Sequence, residues 1–380
     1  MAKGDSDVED FAIRRELLKR GEDGLRAFEE EFSRLGEQDQ RLLLSTPWDQ
    51  NPGWPFLNES AGRYLWTNFS HFTGTDRVNL LVMVSRCGYR EVLPALREEY
   101  QAVCQDPKRT VVESDLLGCA LCMHKDFRHV SVWTKRLLHL DDQIRFALNF
   151  WDARGMMGPG LGLAMAGPVK NFIQRQGPQG WAELDVVAAA TFSGEERGKA
   201  KRHPRQYLEA FWESARGRQV LLDSWIWTGR ICRHEQEYAT AETCLREAIL
   251  IDPKNAMAKC FLAGVLLRSG KESEASELLK DVAAVPPRNV EVLSDLGVSL
   301  YYLKDYPGAT KALRMVLELD SQNGTAIQYL ALAEWGRGNK SEAQRLTSRL
   351  KELDAGLWRQ VINWIPEMSI DTAQPGEAPR

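Results

Sequence analysis

AETCLREA (241–248), ASELLKDV (275–282), ATKALRMV (309–316) and AQRLTSRL (343–350) are four copies of one frame, and each begins 34 residues after the one before. The copies start at Ala241, Ala275, Ala309 and Ala343. Four positions on stand Leu245, Leu279 and Leu313, with Thr347 as the exception, and seven on stand Ala248, Val282, Val316 and Leu350. Twelve positions before the alanines sit Gly229, Ala263, Gly297 and Ala331, and Asp252-Pro253 and Pro286-Pro287 close the first two units. Small residues at two fixed places, with apolar residues at helical spacing between them, suit helices packed too closely for a large side chain. One hairpin of such helices cannot bury its apolar face alone, so the units must stack into a superhelix with a concave side.

The period and the pattern resemble the tetratricopeptide repeat, a helix–turn–helix unit of this length. The resemblance runs from Ser224 to Leu353. It implies an all-α fold, an α–α superhelix, and a surface made for holding another protein. In the repeat frame, helix-A positions two, five, six, nine, twelve and thirteen face the groove. The aromatic and cationic side chains at these positions are Trp227, Arg230, Arg233, Phe261, Arg268, Tyr301, Tyr302, Tyr329 and Trp335, the candidate peptide-binding residues. Tetratricopeptide co-chaperones clamp a C-terminal carboxylate with Lys and Asn at set groove positions. Here those slots carry Ile226 and Arg230, then Met257 and Phe261, so the clamp is absent. The arginines are expected to orient an acidic part of the ligand while the aromatics hold its apolar side chains.

Outward from the array, the pattern weakens. Residues 1–153 read as an N-terminal helical domain whose first 40 residues are net negative. Residues 46–76 (TPWDQNPGWPFLNESAGRYLWTNFSHFTGTD) read as an ordered aromatic loop. From Val78 helical hairpins return; the second fits a degenerate frame with Gly118 as the small helix-A position and Val130 in place of the helix-B alanine, while Leu93–Leu96 and LDDQIRFAL resemble HEAT repeats. Residues 154–206, rich in Gly and Pro and then basic, read as a connector. Residues 207–365 hold the array and a capping helix with Trp358, Ile362 and Ile365, and 366–380 read as a disordered tail.

The chain has 380 residues, 43% hydrophobic and 27% charged, with net charge −4, which is ordinary for a soluble protein. Seven scattered cysteines do not form a secreted disulfide framework, the acidic start lacks a secretory apolar core, and no run reaches membrane-span length, so a cytoplasmic location is expected. Cys119 and Cys122, with His124 and His129, have metal-ligand spacing, but no second pair completes a tetrahedral site, and buried helix cysteines are expected instead. GPGLGLAMAGP (158–168) lacks the GK[ST] ending of a phosphate loop. The basic run from Arg197 to Arg205 has no interleaved aromatics for stacking bases. No nucleophile elbow, HExxH pair or kinase set is present. The sequence therefore points to a non-catalytic adaptor, scaffold or assembly chaperone without cofactor or metal. Its partner would be a protein offering an apolar or aromatic-rich peptide or helix, with no nucleic acid. A bacterial secretion-type chaperone, or an N-terminal enzyme or ligand-binding domain targeted by a repeat arm, are the alternatives.

Overall fold

The computed structural model describes residues 30, 34, 59–141, 144, 164–176 and 204–369, and every element among them is helical. The chain falls into two compact units, Met1–Ser224 and Trp225–Arg380. No helix among the described residues is long and apolar enough to cross a membrane.

The first unit holds α1 (Glu59–Phe69), α2 (Gly74–Arg86), a 3-10 turn (Arg90–Val92), α3 (Leu93–Gln105), α4 (Val111–Met123), α5 (Arg128–Leu138), α6 (Ala166–Gln176) and α7 (Pro204–Glu213), and it ends within α8 (Ala215–His234). Val78 and the run from Leu80 to Val84 are all at most 1% exposed. Helix α2 is therefore surrounded, and it packs on α1, α3 and α4. Pro94 sits in the first turn of α3, where a missing N–H leaves no intrahelical bond broken. Thr110 and Glu113 close a capping box at the start of α4: the Thr110 hydroxyl accepts from the Glu113 N–H at 3.2 Å, and the Glu113 carboxylate accepts from the Thr110 N–H at 3.1 Å.

In the second unit, α8 is followed by α9 (Tyr238–Ile251), α10 (Ala256–Arg268), α11 (Glu272–Ala284), α12 (Val290–Tyr302), α13 (Tyr306–Leu319), α14 (Gly324–Gly336), α15 (Lys340–Leu353), α16 (Ala355–Trp364) and a 3-10 turn (Pro366–Ser369). Helices α10, α12, α14 and α16 touch in succession as one layer, and α9, α11, α13 and α15 form the other. The frame alanines 241, 275, 309 and 343 are wholly buried. A Cβ added at Gly229 would come within 2.7 Å of Leu245 Cγ, and one at Gly297 within 2.5 Å of Leu313 Cγ, which is the close crossing that the small positions predicted. All-α and solenoidal, this unit is a tetratricopeptide-like array.

Both ends of each first helix are built alike. Asn255, Asn289 and Asn323 cap α10, α12 and α14, each side-chain oxygen accepting an N–H (of Ala258, Val292 and Ala326) at 3.0 Å. Gln236, Gly270, Lys304 and Gly338 end the first helix of each unit in the left-handed region, at φ of 62°, 73°, 62° and 84°. At each of these turns two N–H groups bond back to the last carbonyls, as Gly270 does to Leu267 and Lys271 to Leu266. The α4–α5 hairpin of the first unit has the same plan. Thr110 caps it eight residues before Gly118, and Lys125 (φ 61°) turns it seven residues after, so Gly118 and Val130 do occupy the repeat frame.

Three expectations change. The aromatic segment 46–76 is helical from Glu59 to Phe69, because Gly62 lets α1 press against Cys87 and Tyr89: a Cβ there would lie 2.8 Å from each of theirs. Residues 46–58, and with them Trp48, Trp54 and Phe56, lie outside the described residues. Within the expected connector, Ala166–Gln176 is a helix with Phe172 and Ile173 wholly buried, packed on α5. Ser224 ties its start down, its hydroxyl accepting from the Gly167 N–H at 2.9 Å and donating to the Ala164 carbonyl at 2.8 Å. The expected tail begins with the ordered turn Pro366–Ser369, where Met368 is 2% exposed and the Glu367 carbonyl accepts from Gln344. Most of the acidic helices expected before residue 40, most of the glycine-rich stretch at 158–168, the basic run before Pro204 and residues 370–380 also lie outside the described residues.

Candidate protein-binding groove

Helices α10, α12 and α14 place their concave-facing residues on one side of the second unit. Arg230 and Arg233 reach it from the end of α8. They do not wait there for a ligand's acid. Arg230 Nη1 donates to both carboxylate oxygens of Glu291, at 2.8 and 3.1 Å. Arg233 grips Asp295 with both Nη atoms, at 3.1 Å each. Both pairs join the first repeat to the third across the second. Room for the crossing comes from Gly264, whose added Cβ would lie 3.2 Å from Arg233 Nη1. Burial pushes the Asp295 carboxyl above the usual carboxylate range, against the pull of Arg233. Arg230 and Arg233, expected to orient an acidic ligand, are thus each paired with a carboxylate that the protein itself supplies.

Phe261 is also reassigned. It is wholly buried, with the Arg233 guanidinium carbon 4.8 Å above its ring, so it belongs to the core and not to the open surface. Trp227 is half-buried on α8. Trp335, half-buried at the end of α14, has the Lys340 ammonium 5.1 Å from its ring centre.

The open part of the groove lies further along. Tyr301 stands 5.5 Å from the ring centre of Tyr329, 5.5 Å from that of Tyr302 and 5.9 Å from that of Tyr306. The Tyr302 and Tyr329 hydroxyls are 3.1 Å apart, sharing one hydrogen bond. Tyr302 is 44% exposed, so the tyrosine wall faces solvent. Tyr306, absent from the sequence-based set, braces the wall from α13 and fills the space above Gly336, where an added Cβ would meet its ring at 2.7 Å. The Arg268 guanidinium lies 5.9 Å from the Tyr302 ring centre. Beside it is a cavity of about 530 Å³ that Arg268 and Tyr302 line together with Tyr238, Glu272 and Val298. Burial and the bond from Tyr302 raise the Tyr329 phenol above its ordinary value, so Tyr329 is neutral at physiological pH.

A buried polar cluster in the first unit has another character. Asp115, His129 and Trp133 are at most 1% exposed. Asp115 Oδ1 accepts from Trp133 at 2.9 Å and from Arg136 at 2.8 Å, and lies 3.0 Å from His129 Nε2; Tyr100 lies 2.7 Å from His129 Nδ1. Burial lowers the His129 imidazole, leaving it neutral. For Asp115, burial alone would raise the carboxyl, but the hydrogen bonds from His129 and Arg136 and the Arg136 charge outweigh it and hold it below the usual range. A carboxylate, an imidazole and a phenol in line could relay a proton, yet these side chains are sealed from solvent, and the cluster serves to lock α4 to α5. Cys119 is wholly buried on α4, and burial raises the Cys122 thiol, as expected of core cysteines. Among the described residues no three His, Cys, Asp or Glu side chains are grouped as metal ligands.

No family model and no curated protein matches the chain. Among solved structures it is similar to Pseudomonas aeruginosa pilF, with 23% identity over 40% of this chain and 72% of that one, at a TM-score of 0.34. It is similar to MamA from Desulfovibrio magneticus RS-1, with 19% identity over 42% and 90% of the two chains, at a TM-score of 0.31. It is also similar to the APC/C assembly Cut9–Hcn1, with 12% identity over 90% and 59%, at a TM-score of 0.36. All are tetratricopeptide-repeat proteins. At these scores the likeness is one of repeated helical architecture and transfers no partner or activity.

Proposed function

We propose that this protein is a non-catalytic interaction scaffold that holds a segment of another protein against the concave face of α10, α12 and α14. The observation that carries the reading is the solvent-facing tyrosine wall of Tyr301, Tyr302 and Tyr329 beside a cavity of about 530 Å³. Tyrosines bury large area at low cost in side-chain entropy and keep a hydroxyl for direction, which suits them to anchor a partner's apolar side chains. An adaptor or an assembly chaperone would both use such a surface, in the cytoplasm as the cysteine usage suggests.

Affinity purification with the full-length chain, followed by mass spectrometry, tests it against Tyr302→Ala/Tyr329→Ala with circular dichroism as the folding control. Proteins recovered by the unmodified chain should be lost with the double variant. Undiminished recovery would exclude the groove. Phe261 is unsuited to this test, because truncating a wholly buried ring damages the core whether or not the groove binds anything.

A further inference from the structure

Resting on that reading, we propose that the segment held in the groove carries one acidic side chain, and that Arg268, not Arg230 or Arg233, receives it. Three observations converge. First, the groove's other two arginines are occupied, each by a carboxylate of α12. Arg268 is exposed at the end of α10 and, among the described residues, has no carboxylate within ion-pair distance. Second, Arg268 stands over the Tyr302 ring and borders the cavity, so an anion on it would sit at the mouth of that cavity. Third, the Tyr302–Tyr329 pair uses one hydroxyl proton between its two oxygens. The other phenol proton has no acceptor in the pair, and a carboxylate docked at Arg268 could take it in place of solvent.

Charge also sets the number of acids. Glu272 lines the same cavity four residues after Arg268 and is exposed, with no cation in ion-pair distance among the described residues. With Arg233 and Asp295 cancelling each other, the cavity presents one positive and one negative charge. It suits a single Asp or Glu flanked by apolar or aromatic residues that lie on Tyr302 and Tyr329. A run of acids would meet Glu272 and be repelled.

The test is selection of displayed random dodecapeptides on the full-length chain, repeated on Arg268→Glu and on Tyr302→Ala/Tyr329→Ala. Peptides enriched on the unmodified protein should share one Asp or Glu beside an aromatic or aliphatic residue. They should lose about tenfold in affinity when Arg268→Gln replaces the chain or when Asn or Gln replaces their own acid, with no further loss when both are changed. Arg268→Glu should select Lys or Arg at that place. Peptides that depend on the tyrosines but carry no acid, and bind Arg268→Gln equally well, would overturn the acidic anchor and leave the groove standing. Peptides indifferent to the tyrosines, or no enrichment at all, would overturn both.

Discussion

Gln236 and Lys304 hold the left-handed conformation that Gly270 and Gly338 hold at the equivalent turns. An L side chain in that region costs about 1–2 kcal/mol, while glycine gives back part of the gain by freeing the unfolded chain. Gln236→Gly and Lys304→Gly should each stabilise the array by about 0.5–1 kcal/mol, read as a shift in denaturant midpoint with unchanged slope. Gly118 makes the opposite case. A Cβ there would lie 2.3 Å from His129 Cδ2, and the ring cannot retreat, because Asp115 and Tyr100 hold both its nitrogens. Gly118→Ala should destabilise the protein by about 2–3 kcal/mol, the upper part of the range that overpacking costs. A loss under half of that in urea melts would show that the ring is not held.

At the scale of elements, the α4–α5 hairpin should be the acid-sensitive part of the described structure. The unfolded chain protonates His129 as pH falls through about 6.5, whereas burial delays that protonation in the folded state. The His129 contribution is therefore whole above about pH 6.5 and lost as pH drops below it. Asp115, also lowered, adds a second loss below about pH 4. Thermal melts from pH 7.5 to 5 should show falling stability, and hydrogen exchange should place the early opening in α4 and α5. His129→Gln, though less stable throughout, should flatten that slope; an unchanged slope would assign it to other groups. Within the array, Asn289→Ala removes a cap at the start of α12 and should cost about 1 kcal/mol, seen as faster exchange in its first turn.

At the scale of the molecule, long-range ion pairs contribute less to stability than to which charges a ligand meets. Arg233 and Asp295 are each about a quarter exposed, and Arg230 and Glu291 about half. Such pairs are worth about 0–1 kcal/mol each, so Glu291→Gln/Asp295→Asn should lower stability by less than about 2 kcal/mol. It should also free two guanidinium groups, raising the affinity of the array for polyacidic peptides in a salt-dependent manner. Failure of that affinity to rise would mean that the pairs do not screen the groove. The same pairs mark the limit of sequence reading here. The repeat was legible because small residues recur every 34 positions. Its groove face followed from the frame, and Tyr301, Tyr302 and Tyr329 do gather there. Phe261 and Tyr329 hold the same frame position, yet only Phe261 is covered, by an arginine from another repeat. Partners 61 and 62 residues apart leave no trace in a local pattern. Helices α1 and α6 were hidden for a different reason. Their Gly62, Gly167 and Pro168 look like breakers, but Gly62 meets a close neighbour, and Pro168 lies in a first turn, where its missing N–H breaks no bond.

Gly264 carries a consequence for anyone wishing to control this protein. It lies beside the Arg233–Asp295 bridge and lines the same cavity as Arg268 and Tyr302, and the nearest atom to an added Cβ, at 3.2 Å, is the tip of the flexible Arg233 side chain. Alanine fits there with a small adjustment. A leucine would crowd the Arg233 arm that joins the first repeat to the third and would fill part of the cavity beside Arg268 and Tyr302. One groove-side position thus becomes a stopper for the cavity, graded by residue size alone.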